Sequence, residues 1–292
     1  MAKSKSPFFL LDSFSSEDLS RWEEQKDKIL RYYWELFSAL AYERNKVVDK
    51  LRTVLLEASK PYKFEGWQRQ VRYKYSLTPL SPKGSLIEPG GRFNIPDIRP
   101  DQIPPFPALY IGEDKETTLQ EAGQYSSSSS STLSNLDLAL VKKDSISIVS
   151  VNGKLESIID LHQPKTLKPF LNIIKKFSIP EHISLTAKEI GLQPPGTIRT
   201  VDLLLDSLLE PKWRAMSMQF DVPANCQIFG QLVASAGITG ILYPSKFSKK
   251  KCLAIYPQNF DSESFVAISD DSPQGVISRL DAKTWGNLKP TL

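Results

Sequence analysis

Cysteine and histidine are nearly missing from this 292-residue chain, which holds two of each. Cys226 and Cys252 cannot build a disulfide framework. With only two histidines beside them, they also cannot supply a zinc site of familiar spacing, so no metal is expected. Such sparing use of cysteine fits a reducing compartment. No window approaches 18 continuous apolar residues, which excludes a membrane-spanning helix from the expectation. The apolar stretch "PFFLL" near the start is too short for the core of a signal peptide. A cytoplasmic protein with no membrane partner is therefore expected. Charge of one sign is scarce as well: 37 Lys and Arg against 33 Asp and Glu leave a net charge of +4. The excess gathers at "SKFSKKK" (245–251) and around 165–176, which reads as a solvated face, with no direct nucleic-acid partner. A glycine-rich phosphate loop is lacking too. "GGRFN" has neither the P-loop lysine nor the G-x-G-x-x-G spacing, which removes the Rossmann and kinase readings.

What is present is ordinary globular composition, 40% hydrophobic and 24% charged, enough to bury a real core. Residues 15 to 60 read as helix. "SSEDL" offers Ser15 as a cap, and Leu19, Trp22, Ile29, Leu30, Tyr33, Phe37 and Leu40 recur at helical spacing. A second amphipathic run, "VVDKLRTVLLEASK", continues to Lys60, and the pair reads as a helical hairpin that packs on the main domain or docks another chain. "VRYKYSL" alternates like a half-buried strand, and a loop rich in proline and glycine follows. "ALYIG" reads as a short buried strand and "EDKETTLQEAGQY" as helix, starting near Glu113 or Asp114. "SSSSSST" (126–132) is a linker-type run, and "LDLALV" and "SISIVSV" read as strands. Residues 160–220 are expected to be largely helical. "CQIFGQLVASAG" is a helix closed by Gly237, and "ITGILYPS" and "CLAIYP" are apolar strands. The expected class is α+β, a central mainly antiparallel sheet flanked by helices. The expected organisation is a helical extension at 1–60, a catalytic domain at 61–275 and a tail at 276–292.

Chemistry concentrates in "GGRFNIPDIRPDQIPPFPALYIGEDKETTLQEAG" (90–123). Arg92 follows two glycines, which let the backbone turn tightly and approach a ligand. Its planar fork suits phosphate oxygens. Arg72, on the preceding strand, can point into the same cleft. Tyr110 ends a strand, where its ring can stack on a flat heterocycle. Glu121 can bind a sugar hydroxyl and stabilise an oxocarbenium-like transition state. Ser245, closing "GILYPS", adds a small donor and acceptor. Each residue taken alone fits a bland role: Arg92 and Arg72 as ion-pair partners, Tyr110 as core, Glu121 as a solvated helix residue, Ser245 as part of a turn.

The pattern G-G-R-aromatic-N, then an apolar strand ending in Tyr, then T-x-x-x-E-A, resembles the RES domain family. The matching pieces are "GGRFN" (90–94), "ALYIGEDKETTLQEA" (108–122), "FGQLVASAGITGILYPSKF" (229–247) and "CLAIYP" (252–257), with Arg72 upstream. That family is named for arginine, glutamate and serine and occurs widely as bacterial toxins. The resemblance implies an ADP-ribosyltransferase-like fold that binds NAD+ as substrate and cleaves its nicotinamide-ribose bond. Members pass ADP-ribose to water, to phosphate or to a protein. The expected activity is thus that of an NAD+ glycohydrolase or phosphorylase. An ADP-ribosyltransferase acting on a protein, and a silent RES-like interaction module, stand as alternatives. By position, Arg92 and Arg72 would anchor the dinucleotide, Tyr110 would sit near the nicotinamide, Glu121 would stabilise the ribosyl cation and Ser245 would help hold the ligand. The resemblance also implies an antitoxin partner, of the DNA-binding Xre type, that blocks the site. The chain departs from a minimal family toxin in its N-terminal helices, its longer helical middle and the insertion "PDIRPDQIPPFP".

Overall fold

The computed structural model describes residues 16–121 and 146–290, with side chains from residue 23 onward. The expected cap at Ser15, the serine run at 126–132 and the strand at "LDLALV" lie outside the described residues.

Two helices open the fold, α1 (Ser16–Lys46) and α2 (Val48–Ala58). They serve different cores. In α2, Leu51 and Leu55 lie one turn apart on the same face and are completely buried in the main helical core. In α1, Tyr32 is buried in a small separate cluster with Ile183 and Ala187. The expected extension is therefore split: α2 is core, and α1 is an outer layer.

A long strand follows, β1 (Lys60–Arg72), and it ends in a tight turn at Tyr73–Tyr75. The strand expected at "VRYKYSL" thus sits further upstream, because "KPYKFEGWQRQVR" carries the pairing register. Then come β2 (Leu109–Gly112), α3 (Lys115–Glu121) and β3 (Ile146–Asp160). The strands β1 and β3 form an antiparallel ribbon from Lys60↔Ile158 to Arg72↔Ile146, with a bulge between Phe64 and Trp67. Gly66 adopts φ +68° there, a conformation that favours glycine. The helical middle resolves into α4 (Lys168–Ile174), α5 (Glu181–Glu189), α6 (Val201–Leu208), α7 (Arg214–Phe220) and α8 (Asn225–Ser235).

The strands β4 (Gly240–Pro244) and β5 (Lys251–Ile255) follow α8. β2 pairs with β5, β5 with β4, and β4 with β3, so with the β1–β2 and β1–β3 pairings the ladder returns to its start. The β3–β4 pair is parallel and the others are antiparallel. β6 (Phe265–Ile268) and β7 (Arg279–Asp281) extend outward from β3. A last turn of helix, α9 (Trp285–Leu288), follows. The expected tail at 276–292 instead adds a strand, and Leu280 and Leu288 are buried in the sheet's own core.

Strand alternation separates two cores. Leu109, Ile111, Leu242, Leu253 and Ile255 face the strand-enclosed core with Val151, Leu155 and Ile158. Their neighbours Ala108, Ile241, Tyr243, Cys252 and Ala254 face the helices, where Phe229, Leu232 and Val233 of α8 pack against them. Gly230 lets α8 approach closely: a Cβ there would lie 2.1 Å from the Phe93 carbonyl oxygen. That contact brings the "GGRFN" loop between α8 and the sheet.

Candidate functional site

A cavity of about 420 Å³ opens where the end of β1, the loop 81–92, α3 and the start of α7 converge. That is the size of a small-molecule site. Its walls include Arg72, Arg92, Tyr110 and Glu121. Four of the five expected residues are therefore brought together from four segments: β1, the "GGRFN" loop, β2 and α3.

The "GGRFN" loop is held from below. Asn94 is fully buried; its Oδ1 accepts from the Gly91 N–H at 2.9 Å, and its amide donates to the carbonyls of Ser85 and Phe106. Gln227 of α8, also fully buried, donates to the Pro89 carbonyl. Tyr256 donates to the Phe93 carbonyl at 2.8 Å. Buried amides used in this way fix a loop, because an unpaired partner in the interior is costly. The loop then presents Arg92, 6% exposed, whose Nη1 donates to the Glu210 carbonyl at 2.9 Å.

Tyr110 has a more structural role than stacking alone. Its hydroxyl accepts from the Phe93 N–H and donates to Asn94 Oδ1, both at 2.9 Å. A Cβ on Gly91 would lie 2.2 Å from the Tyr110 ring, so the loop rests directly on that ring. Burial pushes its hydroxyl far above the usual phenol range. Tyr110 is a positioning residue that also lines the cavity.

Glu121 ends α3. Asp114 starts that helix, its Oδ1 accepting from the Thr117 N–H at 2.8 Å. Thr118 ties the same helix to β1 through the Gln68 carbonyl. With α3 fixed at both places, Glu121 Oε1 is buried and has no hydrogen-bond partner among the described residues. Gln70 Oε1, on the same cavity wall, is also buried without a partner. Two of the cavity-lining residues thus carry a buried acceptor that the described residues leave unsatisfied.

Arg72 is exposed at the cavity mouth. Three positions away, Arg69 is the buried one, and its guanidinium donates to the carbonyls of Pro79, Tyr110 and Ser81. It braces β2 against the loop instead of offering a free fork. Ser245 does not line the cavity. It is 2% exposed, and its Oγ accepts from the N–H groups of Phe247 and Ser248 in the β4–β5 turn. The chain turns away just after β4, and Tyr243, on the cavity-facing side of that strand, is the residue that reaches the site.

A family model for the RES domain matches residues 67–274, well over half of the chain. The chain belongs to the RES domain family. No curated protein matches it by sequence. Among solved structures, a chain in the crystal structure of the M. tuberculosis MbcT–MbcA toxin–antitoxin complex is similar to it, at 14% identity and a TM-score of 0.43. That alignment covers 84% of this chain and 97% of the other.

This RES domain also uses residues that its motifs did not announce. Trp213 and Arg214, where the helical middle enters α7, complete the cavity wall. The Arg92 guanidinium lies 5.8 Å from the Trp213 ring centroid and that of Arg214 lies 4.7 Å from it. Burial, and then the Arg92 charge, pull Arg214 below the usual arginine range, while Glu121 acts in the opposite direction. The tryptophan-arginine pair sits in a stretch with no motif of its own, and the dipeptide "WR" shortly after a proline was the only local signal.

Proposed function

We propose that this RES domain consumes NAD+ by cleaving its nicotinamide-ribose bond. The observation that carries the reading is Glu121: a half-buried carboxylate whose buried Oε1 has no partner among the described residues, in a cavity that also holds Arg92 and Arg214. A dinucleotide brings what each wall lacks. Its phosphates suit the guanidinium forks, and its ribose hydroxyls suit the unpaired acceptors of Gln70 and Glu121. A flat ring finds aromatic surface on Tyr110, Trp213 and Tyr243.

In the reaction, nicotinamide leaves with the electron pair of the C–N bond, so the charge on its ring nitrogen is neutralised. Positive charge appears on the ribose, and the Glu121 carboxylate stabilises it electrostatically. Water or phosphate then adds at the same carbon. Attack by water releases a proton, and attack by phosphate forms a phosphoester. Family membership supports a toxin role for this chemistry, restrained in the cell by an antitoxin, since loss of NAD+ halts growth. Incubating the purified protein with NAD+ and identifying products by mass spectrometry tests the reading. Nicotinamide with ADP-ribose indicates hydrolysis, and a phosphorylated ADP-ribose indicates phosphorolysis. NAD+ recovered intact in both buffers, with no ADP-ribosylated protein, sinks it.

A further inference from the structure

Arg92 and Arg214 approach the same indole from separate parts of the chain, one on the "GGRFN" loop and one on the helical middle. The two segments are joined at this point, since Arg92 Nη1 donates to the Glu210 carbonyl just ahead of Trp213. Trp213 is 3% exposed and belongs to the helical core, so the platform beneath both guanidinium groups is rigid. Among the described residues, neither arginine pairs with a carboxylate. The guanidinium of Arg214, which lines the cavity, makes no hydrogen bond to the described residues either. Two like charges held on one platform disfavour each other, and Glu121, which makes no ion pair with either, offsets only part of that cost until an anion arrives. A single phosphate group satisfies one fork and leaves the other without a bidentate partner. Two linked phosphate groups satisfy both.

We propose that Arg214 is the specificity-determining residue of a two-arginine subsite that selects a nucleoside diphosphate group over a monophosphate. The inference rests on the nucleotide reading of the cavity but not on its chemistry, because it concerns binding alone. It also accounts for the long helical middle, which carries the second arginine to the site. Trp213 holds that arginine by stacking, which leaves the fork free for the ligand.

Calorimetric titration with ADP and with AMP tests it, on the wild-type chain and on Arg214→Gln and Arg214→Lys. The Arg214 side chain makes no hydrogen bond to the described residues, so both variants are expected to melt near the wild type. The wild type should bind ADP about tenfold or more tighter than AMP, the scale of one charge-assisted contact. Arg214→Gln should bring ADP affinity down to that of AMP, and Arg214→Lys should recover part of the difference, because it keeps the charge and loses the fork. A wild-type protein that does not distinguish the two nucleotides overturns the proposal, as does an Arg214→Gln variant that keeps the full preference. If the preference follows Arg214 while NAD+ stays intact, the subsite stands and the cleavage reading fails. If NAD+ is cleaved and the preference is indifferent to Arg214, the cleavage reading stands and the subsite fails.

Discussion

At Gly91 one hydrogen atom separates the loop from the Tyr110 ring. A Cβ there would meet two ring carbons and the hydroxyl oxygen of Tyr110 within 2.4 Å. Gly91→Ala must therefore displace either the loop or the tyrosine, and with it Arg92. It is expected to abolish ligand binding, while the sheet keeps its circular-dichroism signature. Tyr110→Phe tests the hydroxyl by itself. Removing it strands the Phe93 N–H and one acceptor position of Asn94, at about 1–3 kcal/mol for buried groups. A thermal melt should show that loss, and a variant as stable as the wild type would contradict the positioning role. These residues also show how far the sequence could be read. That Arg92, Tyr110 and Glu121 gather on one cavity was legible, because glycine before arginine, and aromatic and carboxylate side chains on neighbouring short elements, are chemically informative. Ser245 lies off the cavity because strand alternation continues only while the strand does. The backbone turns at Pro244 and takes the serine into the turn. Asn94 and Gln227 were invisible, since nothing local distinguishes a buried amide from an exposed one.

Among the elements, α3 carries Glu121, the carboxylate proposed to stabilise the ribosyl cation. Its seven residues cannot hold a helix by propensity alone. It depends on Asp114, which caps it and also pairs with Lys250 at 2.6 Å. Asp114→Ala is expected to cost about 1 kcal/mol and to lower turnover by loosening Glu121. Unchanged stability with unchanged kcat would show that α3 is held by other means. At the far end of the ribbon, Asp160 accepts from Lys60 at 2.8 Å and from the His162 N–H at 2.9 Å. Burial opposes its charge, but these hydrogen bonds outweigh burial and hold the carboxyl below its usual range. A depressed folded value means this contribution is present at neutral pH and fades as pH falls through the folded value. Asp160→Asn should therefore flatten the acid limb of the stability profile and leave the alkaline limb in place. The ribbon itself was only partly legible. Its Gly66 bulge changes which side chains face inward, and a two-residue pattern read from "VRYKYSL" falls beyond the bulge and past the strand's end.

For the whole molecule, the two cores explain how the helices divide their work. Deleting residues through Lys46 removes α1, whose described buried contact is with a small outlying cluster, and should leave a cooperative fold of lower stability. Leu51→Ala, by contrast, opens a cavity in the main core and is expected to cost about 2–5 kcal/mol in chemical denaturation. The class was readable from the order of patterns, helices first and then strands interleaved with helices. The ring of strand pairings was not, because it depends on β1 finding both β2 and β3 across long separations. The site lies where that ring, α3 and the helical middle meet, so its chemistry depends on the complete fold.

The most direct test of the proposed chemistry is the rate of nicotinamide release from NAD+ by the wild type and by Glu121→Gln. The substitution keeps the shape and removes the charge proposed to stabilise the ribosyl cation. Release by the wild type is expected, with a fall in kcat of about a hundredfold or more in the variant and KM little changed. Release at equal rates from both proteins would contradict the role given to Glu121.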